Sequence, residues 1–281
     1  GIRDDLVTGV QTCALPISEA ELQRLGVPIV QANDHVGEHL QDHLEIYVQA
    51  GIKQPVSIYP ATRGIGKLVT GLDWYLRKKG AGATNHFHSG AFLRSGFDEG
   101  YPDLQFHFLP IAMNYDGSKQ VNHHGMQAHV GPMKPTSRGR VRLLSTDPFA
   151  DPSIQFSYLS TEQDWAVMRA GLNLAETILQ QASFKQLGAW LLEKHLSDEA
   201  RDQWVRERSE SAYHPCGTCR MGASNESVVG LSGEVHGLRD LRVVDASIMP
   251  EITNGNLNAV VIMMAEKIAD GMKQTAARSG A

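Results

Sequence analysis

The sequence predicts an α+β protein in which an antiparallel sheet is inserted between two pieces of a second structural unit. Strand-like segments separated by Pro and Gly fill the middle of the chain, without the alternating helices that a parallel sheet requires. Helix-like apolar repeats follow, and the chain closes with a strand, a polar loop and a long apolar segment. With 281 residues and 42% hydrophobic content, the chain can bury one large core or two modest ones.

The segments before the sheet are short and rich in polar residues. Residues 19–30 predict a short helix, a stop at Gly26 and a brief strand. Residues 36–46 are unusually polar for a segment that lies between apolar runs. Gly64-Ile65-Gly66 follows no predicted strand and lacks a third glycine, so it predicts a loop and not a dinucleotide-binding turn.

The sheet and the elements after it follow from the apolar pattern. Strands are predicted within residues 103–113, 126–133, 139–145 and 153–160. A helix with Thr161 as its N-cap comes next, because apolar residues recur at helical intervals through 161–182. Further predictions are a charged, solvated helix at 196–209, a compact strand at 241–247, a polar loop at 251–258 and a buried helix at 259–272.

Composition excludes several functional classes. The formal net charge of −5 and the pI near 6.2 give no basic face for nucleic acid. The longest apolar run, Ala259 to Ala265, is too short to span a bilayer, and no segment resembles a signal peptide. Three cysteines do not make a disulfide framework and indicate a reducing compartment, here the cytoplasm. His123, His124 and His129 lack a spacing that brings three ligands to one face, so no metal site is predicted.

The first eighteen residues are unlike those that follow. Residue 1 is Gly and not Met, and residues 1–18 resemble the translated sequencing-adapter stretch that contaminates many metagenomic reading frames. We interpret this segment, with Cys13, as a non-native leader and exclude it from the fold prediction. An ordinary amphipathic leader is the alternative. The true beginning of the gene product is expected to be absent.

The most reactive-looking stretch runs from Tyr213 to Cys219, with the sequence Tyr-His-Pro-Cys-Gly-Thr-Cys. Cys216 and Cys219 have the spacing of a thiol redox pair, but no helix pattern follows them. Together with His43 and Glu45, they also match the two halves of a zinc deaminase signature. Because about 170 residues separate these halves here, zinc-dependent deamination is the weaker alternative.

A third interpretation pairs His214 with the polar loop before the last helix. Hydride transfer from an alcohol requires the loss of its hydroxyl proton, and the pKa of histidine, near neutrality, suits a base for that proton. An uncharged amide such as Asn256 can hold the alcohol oxygen in line with the hydride acceptor. An isolated His or Asn is more often structural, so this pair depends on the rest of the chain.

The chain resembles the glucose–methanol–choline (GMC) oxidoreductase family from about Leu25 to Met272. Residues 214–222 are similar to the family segment H-P-x-G-T-x-x-M-G, and residues 235–270 are similar to its closing signature. Residues 36–43 resemble another recurrent element of the family, and residues 135–160 resemble the return strands of its substrate domain. These segments occur in the family's order.

The resemblance implies FAD as the cofactor, with hydride accepted at the flavin N5. It implies that His214 is the catalytic acid/base and that Asn256 is its partner at the substrate oxygen. The helix after the polar loop, with Asn258 as its N-cap, would direct its dipole toward the flavin pyrimidine. The residues that the resemblance places at FAD are Asp245, Ala246, Asn256, Leu257 and Asn258.

Within the family, the choline-oxidising bacterial members are the most similar, at residues 55–61, 85–92, 106–118 and 211–219. This similarity implies oxidation of choline to betaine aldehyde, with a quinone or oxygen as electron acceptor. Those members have a glutamate where this chain has His88, and a carboxylate suits a quaternary ammonium better. Another primary alcohol is therefore the alternative substrate. Peripheral association of the intact enzyme with the inner face of the bacterial cell membrane is also expected.

The resemblance also implies domain boundaries. A residual piece of the FAD-binding domain is expected at 19–45, the substrate-binding domain at 46–212 and the C-terminal return into the FAD-binding domain at 213–281. The strand and G-x-G-x-x-G fingerprint that open the family are absent from this sequence. The N-terminal Rossmann portion is therefore expected to be missing, and the isolated chain is expected to bind FAD weakly and to be inactive.

Overall fold

The structure, a computed structural model, describes residues 18–97, 100–114, 121–193 and 197–279. Nearly all of the predicted leader, including Cys13, lies outside these residues. The chain divides into two compact units. Unit 1 comprises residues 1–43, 134–162 and 212–281, and unit 2 comprises residues 44–133 and 163–211. Each unit is thus assembled from segments that are distant in sequence.

Unit 2 is built on an antiparallel sheet, as the sequence predicted. Its strand order is β2-β3-β4-β1-β7. The short strand β8 pairs with the first two residues of β1, Leu44 and Glu45. The central pairs are β1 with β4 and β3 with β4. The strands are β1 (Leu44–Ile52), β2 (Ser89–Leu93), β3 (Leu104–Leu109), β4 (Gly125–Pro132), β7 (Ala189–Leu191) and β8 (Glu210–Ser211).

One face of this sheet is apolar and is covered by a long helix, α3 (Glu162–Leu179). Ile46 and Val48 of β1 are buried and alternate with the polar side chains of Glu45 and Tyr47 on the opposite face. α3 approaches the sheet closely, because a Cβ on its Gly171 would lie 2.9 Å from the Val130 side chain. The predicted helix over 161–182 is confirmed, and its apolar repeat forms the core of unit 2.

The described residues of unit 2 also form the helices α2 (Gly64–Arg77), α4 (Ala182–Gln186) and α5 (Asp198–Arg208). α5 confirms the charged helix predicted over 196–209. Ser197 is its N-cap, accepting a hydrogen bond from the Ala200 N–H, and basic residues occupy its last turn. Only Val205 of this helix is buried.

The described residues of unit 1 form two helices, α1 (Glu19–Leu25) and α6 (Asn258–Ser279), and a two-stranded ribbon. The ribbon pairs β5 (Arg140–Arg142) with β6 (Ser153–Gln155). α1 ends as predicted at Gly26, which has a left-handed φ of 68°. Many of the buried apolar side chains of unit 1 form one cluster, which includes Leu22, Val36, Val228, Val229, Val235 and Ile248.

The predicted loop at Gly64-Ile65-Gly66 is wrong, because these residues form the first turn of α2. The segment follows a 3₁₀ turn (Tyr59–Thr62) and not a strand, in agreement with the absence of a dinucleotide fingerprint there. Glycine lowers helix propensity, which is why the sequence indicated a loop. Packing against the 3₁₀ turn favours the helix and requires glycine, since a Cβ on Gly66 would lie 1.9 Å from the Pro60 carbonyl oxygen.

Two predicted strands of unit 1 do not form. The residues after Gly26 are irregular, and Val30 is 90% exposed, so no neighbouring strand covers it. The predicted strand at 241–247 contributes a single bridge, between Glu234 and Arg242. Its partner segment turns at Gly233, which has a φ of 78°, and so leaves no straight edge for a ladder.

The last helix is present but is not the buried element that the sequence indicated. Ile268 is buried, whereas Ile262 and Met263 are more than half exposed. Asn258 is also not the N-cap, since the Leu257 carbonyl accepts the first helical hydrogen bond, from the Val261 N–H at 2.9 Å. Asn258 therefore lies in the first turn, with an exposed side chain.

Residues 134–162 belong to unit 1, whereas the sequence analysis placed them in a substrate-binding domain at 46–212. The reason is that β5 and β6 pair only with each other among the described strands and not with the sheet of unit 2. The assignment of 46–212 to substrate binding and of 19–45 and 213–281 to FAD binding stays a prediction. Among the described residues, no helix is both long enough and apolar enough to cross a membrane.

Candidate active site

His214 lies at a sharp change of chain direction in unit 1. The preceding residue, Tyr213, has a left-handed φ of 62°, a conformation that non-glycine residues adopt infrequently and that clusters at functional sites. Tyr213 itself is 76% exposed, whereas the His214 side chain is partly buried. The backbone therefore turns Tyr213 outward and His214 toward the protein.

The buried carboxylate of Asp42 holds the backbone of His214. Its Oδ1 accepts a hydrogen bond from the His214 N–H at 2.9 Å, and its Oδ2 accepts one from the Tyr158 hydroxyl at 2.5 Å. Asp42 is only 3% exposed, so these donors offset the cost of burying its charge.

The two ring nitrogens of His214 face different neighbours. Nδ1 lies 2.9 Å from Nδ1 of His43, whose ring is fully buried and perpendicular to that of His214. Nε2 lies 3.2 Å from Nδ2 of Asn256. With the Asn256 amide as donor, Nε2 carries the lone pair and Nδ1 carries the proton, which it donates to His43. In this arrangement the acceptor nitrogen of His214 lies beside the exposed amide of Asn256.

An isolated antiparallel bridge aligns the two segments that carry these residues. The N–H groups of Gln41 and Cys216 each donate to the carbonyl of the other at 2.9 Å. Gly217, next along the chain, has a φ of 91°, and a Cβ there would lie 2.6 Å from the His39 carbonyl oxygen. The glycine of the His-Pro-x-Gly motif is therefore required by the close approach of residues 36–43.

The Gln41 side chain joins this bridge to the loop that carries Asn256. Its Oε1 accepts from the Ile252 N–H at 3.1 Å, and its Nε2 donates to the Pro250 carbonyl at 3.4 Å. Lys134 donates to the Ile252 carbonyl at 2.8 Å. The start of the loop is consequently fixed to the segment containing His214, although Gln41 and Ile252 are 211 positions apart.

The residues predicted to contact FAD lie around the same bridge. Asp245 caps a 3₁₀ turn (Ala246–Ile248), accepting from the Ser247 N–H at 2.8 Å. The Ala246 carbonyl accepts from the Gly217 N–H at 3.4 Å. Leu257 is buried with Cys216, whereas Asn256 and Asn258 on either side of it are exposed. The structure thus brings the predicted residues together around His214, and their contact with FAD stays a prediction.

The environment of Cys216 and Cys219 does not favour the redox and zinc interpretations. Cys216 packs with Met249, Ile252 and Leu257, whereas Cys219 packs in a different apolar cluster, with Val228 among others. Burial raises the pKa of each thiol to about 12, so neither forms a thiolate near neutral pH. A redox pair or a zinc site needs thiolates directed at one point, and these side chains are protonated and packed apart.

The other half of the deaminase signature has partners of its own. His43 bonds to His214, and Glu45 accepts from His129 at 3.0 Å within unit 2. His129 is in turn 2.7 Å from the Gln127 side chain, whereas His124 bonds to Ser57. Among the described residues, no group of three or more His, Cys, Asp or Glu side chains is placed to hold a metal ion.

Sequence reasoning missed the residues that hold His214. Residues 36–43 were recognised only as a recurrent polar element, and Asp42 and Tyr158 received no role. The available signal was the density of polar residues in a segment between apolar runs, since buried polar groups need partners. Which partners they have depends on a contact across 171 positions.

Comparison with known proteins adds independent findings. Residues 135–265 match the GMC oxidoreductase family model. Over 255 residues, the chain is 48% identical to an oxygen-dependent choline dehydrogenase of Chromohalobacter salexigens, covering 90% of this chain and 46% of the relative. The same enzyme of Escherichia coli K12 is 47% identical over 258 residues, again covering 90% and 46%. The chain thus spans about half the length of the curated relatives it matches.

Solved structures agree with this result. A pyridoxine 4-oxidase from Mesorbium loti is 25% identical, with a TM-score of 0.76, and the match covers 92% of this chain and 47% of that one. A formate oxidase of Aspergillus oryzae RIB40 is 23% identical, with a TM-score of 0.87 over 94% of this chain and 52% of that one, and shows the shared fold. The predicted resemblance to the GMC oxidoreductase family is confirmed: the model of this family matches residues 135–265, and the similarity to the curated relatives extends over 90% of the chain.

Proposed function

We propose that this chain supplies the acid/base part of the active site of an FAD-dependent alcohol oxidoreductase. The observation that carries the proposal is the pair of contacts made by the His214 ring, with Nδ1 on buried His43 and Nε2 beside exposed Asn256. One nitrogen is fixed in its protonation state, and the other is available as a base at an accessible point.

The chemistry of this pair suits the oxidation of a primary alcohol. An alcohol within reach of Asn256 and His214 would accept a hydrogen bond from the amide and donate its hydroxyl proton to His214 Nε2. The imidazolium formed then keeps its Nδ1–H bond to His43, and its new Nε2–H can donate to the oxygen of the substrate. Asp42 and Tyr158 hold the backbone and touch no reacting atom in this scheme, so they are positioning residues.

The residues around Asn256 fit the electron-rich end of a flavin. When bound, FAD would accept the hydride that leaves the alcohol carbon. Asn256 and Asn258 are exposed beside the N-terminus of α6, whose first-turn N–H groups and helix dipole favour negative charge. Leu257 would contribute its backbone, because its side chain is buried in an apolar cluster. Asp245 and Ala246 would lie toward the ribityl and diphosphate region.

Choline is the leading substrate, and betaine aldehyde is its oxidation product. The support is that the curated relatives, at 47–48% identity, are named choline dehydrogenases. Their names also favour oxygen over a quinone as electron acceptor. His88 is exposed and supplies no carboxylate for a quaternary ammonium. Because of His88, another primary alcohol is the alternative substrate. The similarity to a pyridoxine 4-oxidase makes pyridoxine the compound to compare with choline.

The test is a chimeric enzyme in which this chain replaces the matched segment of the Chromohalobacter salexigens relative. Oxidation of choline and of pyridoxine would be followed by oxygen consumption and by reduction of a quinone analogue. We expect choline to be preferred. In the chimera, His214→Ala should lower kcat by about 10² to 10⁴-fold, the usual contribution of a general base, while flavin absorbance is retained.

The matched control is His236→Gln, which changes a histidine of the same unit that bonds to Ser227. We expect this variant to keep most of the activity. If the His214→Ala chimera oxidises choline at an unchanged rate, the proposed acid/base role is wrong. If the chimera loads FAD but oxidises only pyridoxine, the family chemistry stands and choline is the wrong substrate.

A further inference from the structure

Asn256 lies in a short turn of unit 1 whose two ends are buried. Ile252 and Leu257 are 1% and 4% exposed, and both pack in one apolar cluster. Between them, the Gly255 N–H donates to the Thr253 carbonyl at 2.9 Å, a bond that lies inside the turn. The position of the Asn256 amide is therefore set by the contacts that hold the ends of the turn.

Gln41 holds the first end of this turn from inside the protein. Gln41 is 1% exposed, and both polar atoms of its side chain bond to the loop. Oε1 accepts from the Ile252 N–H at 3.1 Å, and Nε2 donates to the Pro250 carbonyl at 3.4 Å. The backbone of Gln41 is at the same time paired in both directions with that of Cys216, two residues after His214. One buried residue thus joins the segment of the histidine to the turn.

The other side of the Ile252 peptide is held by a cation. Its carbonyl accepts from Lys134 Nζ at 2.8 Å. The preceding residue, Glu251, pairs through Oε2 with Arg138 at 2.9 Å, but the Glu251 side chain is 62% exposed. An ion pair so open to solvent contributes little, whereas hydrogen bonds in a buried place are costly to break. Gln41 and Lys134 are therefore the main polar contacts of Ile252.

The distance between the two residues of the candidate pair depends on these contacts. Asn256 Nδ2 lies 3.2 Å from His214 Nε2, at the long end of the usual range, so a small shift of the turn breaks the contact. We propose that Gln41 is a positioning residue that sets the distance between the Asn256 amide and His214 Nε2. This inference rests on the proposed function, because it concerns the same acid/base pair. Gln41 touches no reacting atom and acts through the turn.

The first test is Gln41→Met in the chimeric enzyme. Methionine keeps the length of the side chain but removes both polar atoms, so the buried Ile252 N–H loses its acceptor and the turn shifts. We expect kcat for the alcohol substrate to fall by about 10²-fold through misplacement of the Asn256 amide. KM should change by less than about threefold, because the amide is needed chiefly in the transition state. Retained flavin absorbance shows that the variant folds.

A double-mutant cycle identifies the residue through which Gln41 acts. Asn256→Ala by itself should lower kcat by about 10² to 10³-fold, the usual cost of removing one donor from a developing charge. Once this amide is absent its position has no effect, so the further addition of Gln41→Met should lower kcat by less than about threefold. Losses that multiply in the double variant would mean that Gln41 acts elsewhere, and would overturn the inference.

The matched control is Asn33→Leu. The Asn33 amide also joins two distant segments of unit 1, accepting from the His35 N–H at 3.0 Å and donating to the Ser227 carbonyl at 3.3 Å. Both partners lie outside the turn. We expect this variant to lower the midpoint of unfolding and to keep kcat and KM near the wild-type values, which separates a positioning role from a general loss of stability.

Amide hydrogen exchange measures the hold on the turn without catalysis. In this chain, Gln41→Met should speed exchange in peptides that cover 250–257 by roughly tenfold, because a buried hydrogen bond is lost. Lys134→Met removes the bond on the other side of the Ile252 peptide and reports on the same turn if the Gln41 variant fails to fold. It should also speed exchange there, and it should lower kcat only while Asn256 is present.

The outcomes separate this inference from the proposed function. If Asn256→Ala lowers kcat but the Gln41 and Lys134 variants are as active as the wild type, the positioning role is wrong and the acid/base pair stands. Unchanged exchange in both variants would also overturn the positioning role. If Asn256→Ala leaves kcat unchanged, the proposed function of the pair is wrong, and the inference fails with it even where exchange is faster.

Discussion

At the scale of single residues, the chemistry of His214 is set by neighbours that are remote in sequence. His43, 171 positions away, lies at Nδ1, and Asp42 binds the backbone N–H. Because both neighbours are buried, neither can move away without leaving a polar group uncompensated. We therefore propose that His43 is a positioning residue, which accepts the Nδ1 proton of His214 and so leaves Nε2 as the acceptor.

Replacing His43 tests this role in the chimeric enzyme. His43→Phe keeps an aromatic ring but removes the acceptor for the His214 Nδ1 proton, and we expect kcat to fall by about 10²-fold through misplacement of the base. His43→Gln, which retains an acceptor, should restore part of the activity. An unchanged kcat in His43→Phe, or an equal loss of kcat in His43→Gln, would contradict the positioning role.

The buried thiols give a second prediction at this scale. Because burial raises the pKa of Cys216 and Cys219 to about 12, a thiol reagent at pH 8 should label them only after unfolding. The native state also keeps its thiol protons up to a higher pH than the unfolded state does, because the thiol pKa of the unfolded state is near 9.0. Stability should therefore fall as pH rises from about 9 toward 12, and Cys216→Ala should reduce that fall. Rapid labelling of both thiols in the native protein would contradict these assignments.

At the scale of elements, α2 shows how packing overrides propensity. Two of its glycines lie in different surroundings: Gly66 is pressed against Pro60, whereas a Cβ on Gly71 would meet nothing within 4 Å. Both weaken the helix intrinsically to the same degree, since each has the conformational freedom of glycine. Only tertiary contact distinguishes them.

Alanine at each position separates the two effects. Gly71→Ala should stabilise α2 by about 0.8 to 1 kcal/mol. Gly66→Ala should destabilise α2 by about 1 to 3 kcal/mol, because the new methyl group overlaps the Pro60 carbonyl oxygen. Amide hydrogen exchange within α2 measures both changes, with α5 as the internal control. Equal protection in the two variants would show that α2 does not pack against the 3₁₀ turn.

The helices α1, α3 and α5 were predicted correctly because their signals are local. α3 and α5 follow from apolar period and charge within a single window of sequence, and α1 ends at the predicted glycine. The strand predicted at 241–247 failed because a strand needs an edge to pair with, and its neighbour turns at Gly233. α6 was predicted as a helix, but its exposure depends on what covers it.

At the scale of the whole molecule, we expect the chain to carry only one side of the proposed cofactor site. The residues that fit FAD are the exposed amides beside the α6 terminus, and the sequence contains no strand followed by a G-x-G-x-x-G turn. A single helix terminus supplies few hydrogen bonds to so large a cofactor. The relatives are also about twice as long as this chain.

FAD binding by this chain alone should accordingly be weak. After incubation with excess FAD and removal of free ligand by gel filtration, we expect no stoichiometric flavin absorbance in the protein fraction. The chimeric enzyme, treated in the same way, is the positive control. A yellow protein with one flavin per chain would contradict this prediction and would mean that the two units described here hold FAD without further sequence.

The sequence by itself predicted the family resemblance and the two residues at the centre of the candidate site. His214 and Asn256 lie in short motifs whose glycines and prolines constrain the local backbone, so their identities can be read in a single window. Only the tertiary structure decided that Asp42 and His43 hold His214 and that the cysteines are packed apart. It alone decided, too, that most apolar side chains of α2 face solvent. An amphipathic pattern fixes which residues share a face, whereas the neighbour of that face is set by contacts distant in sequence.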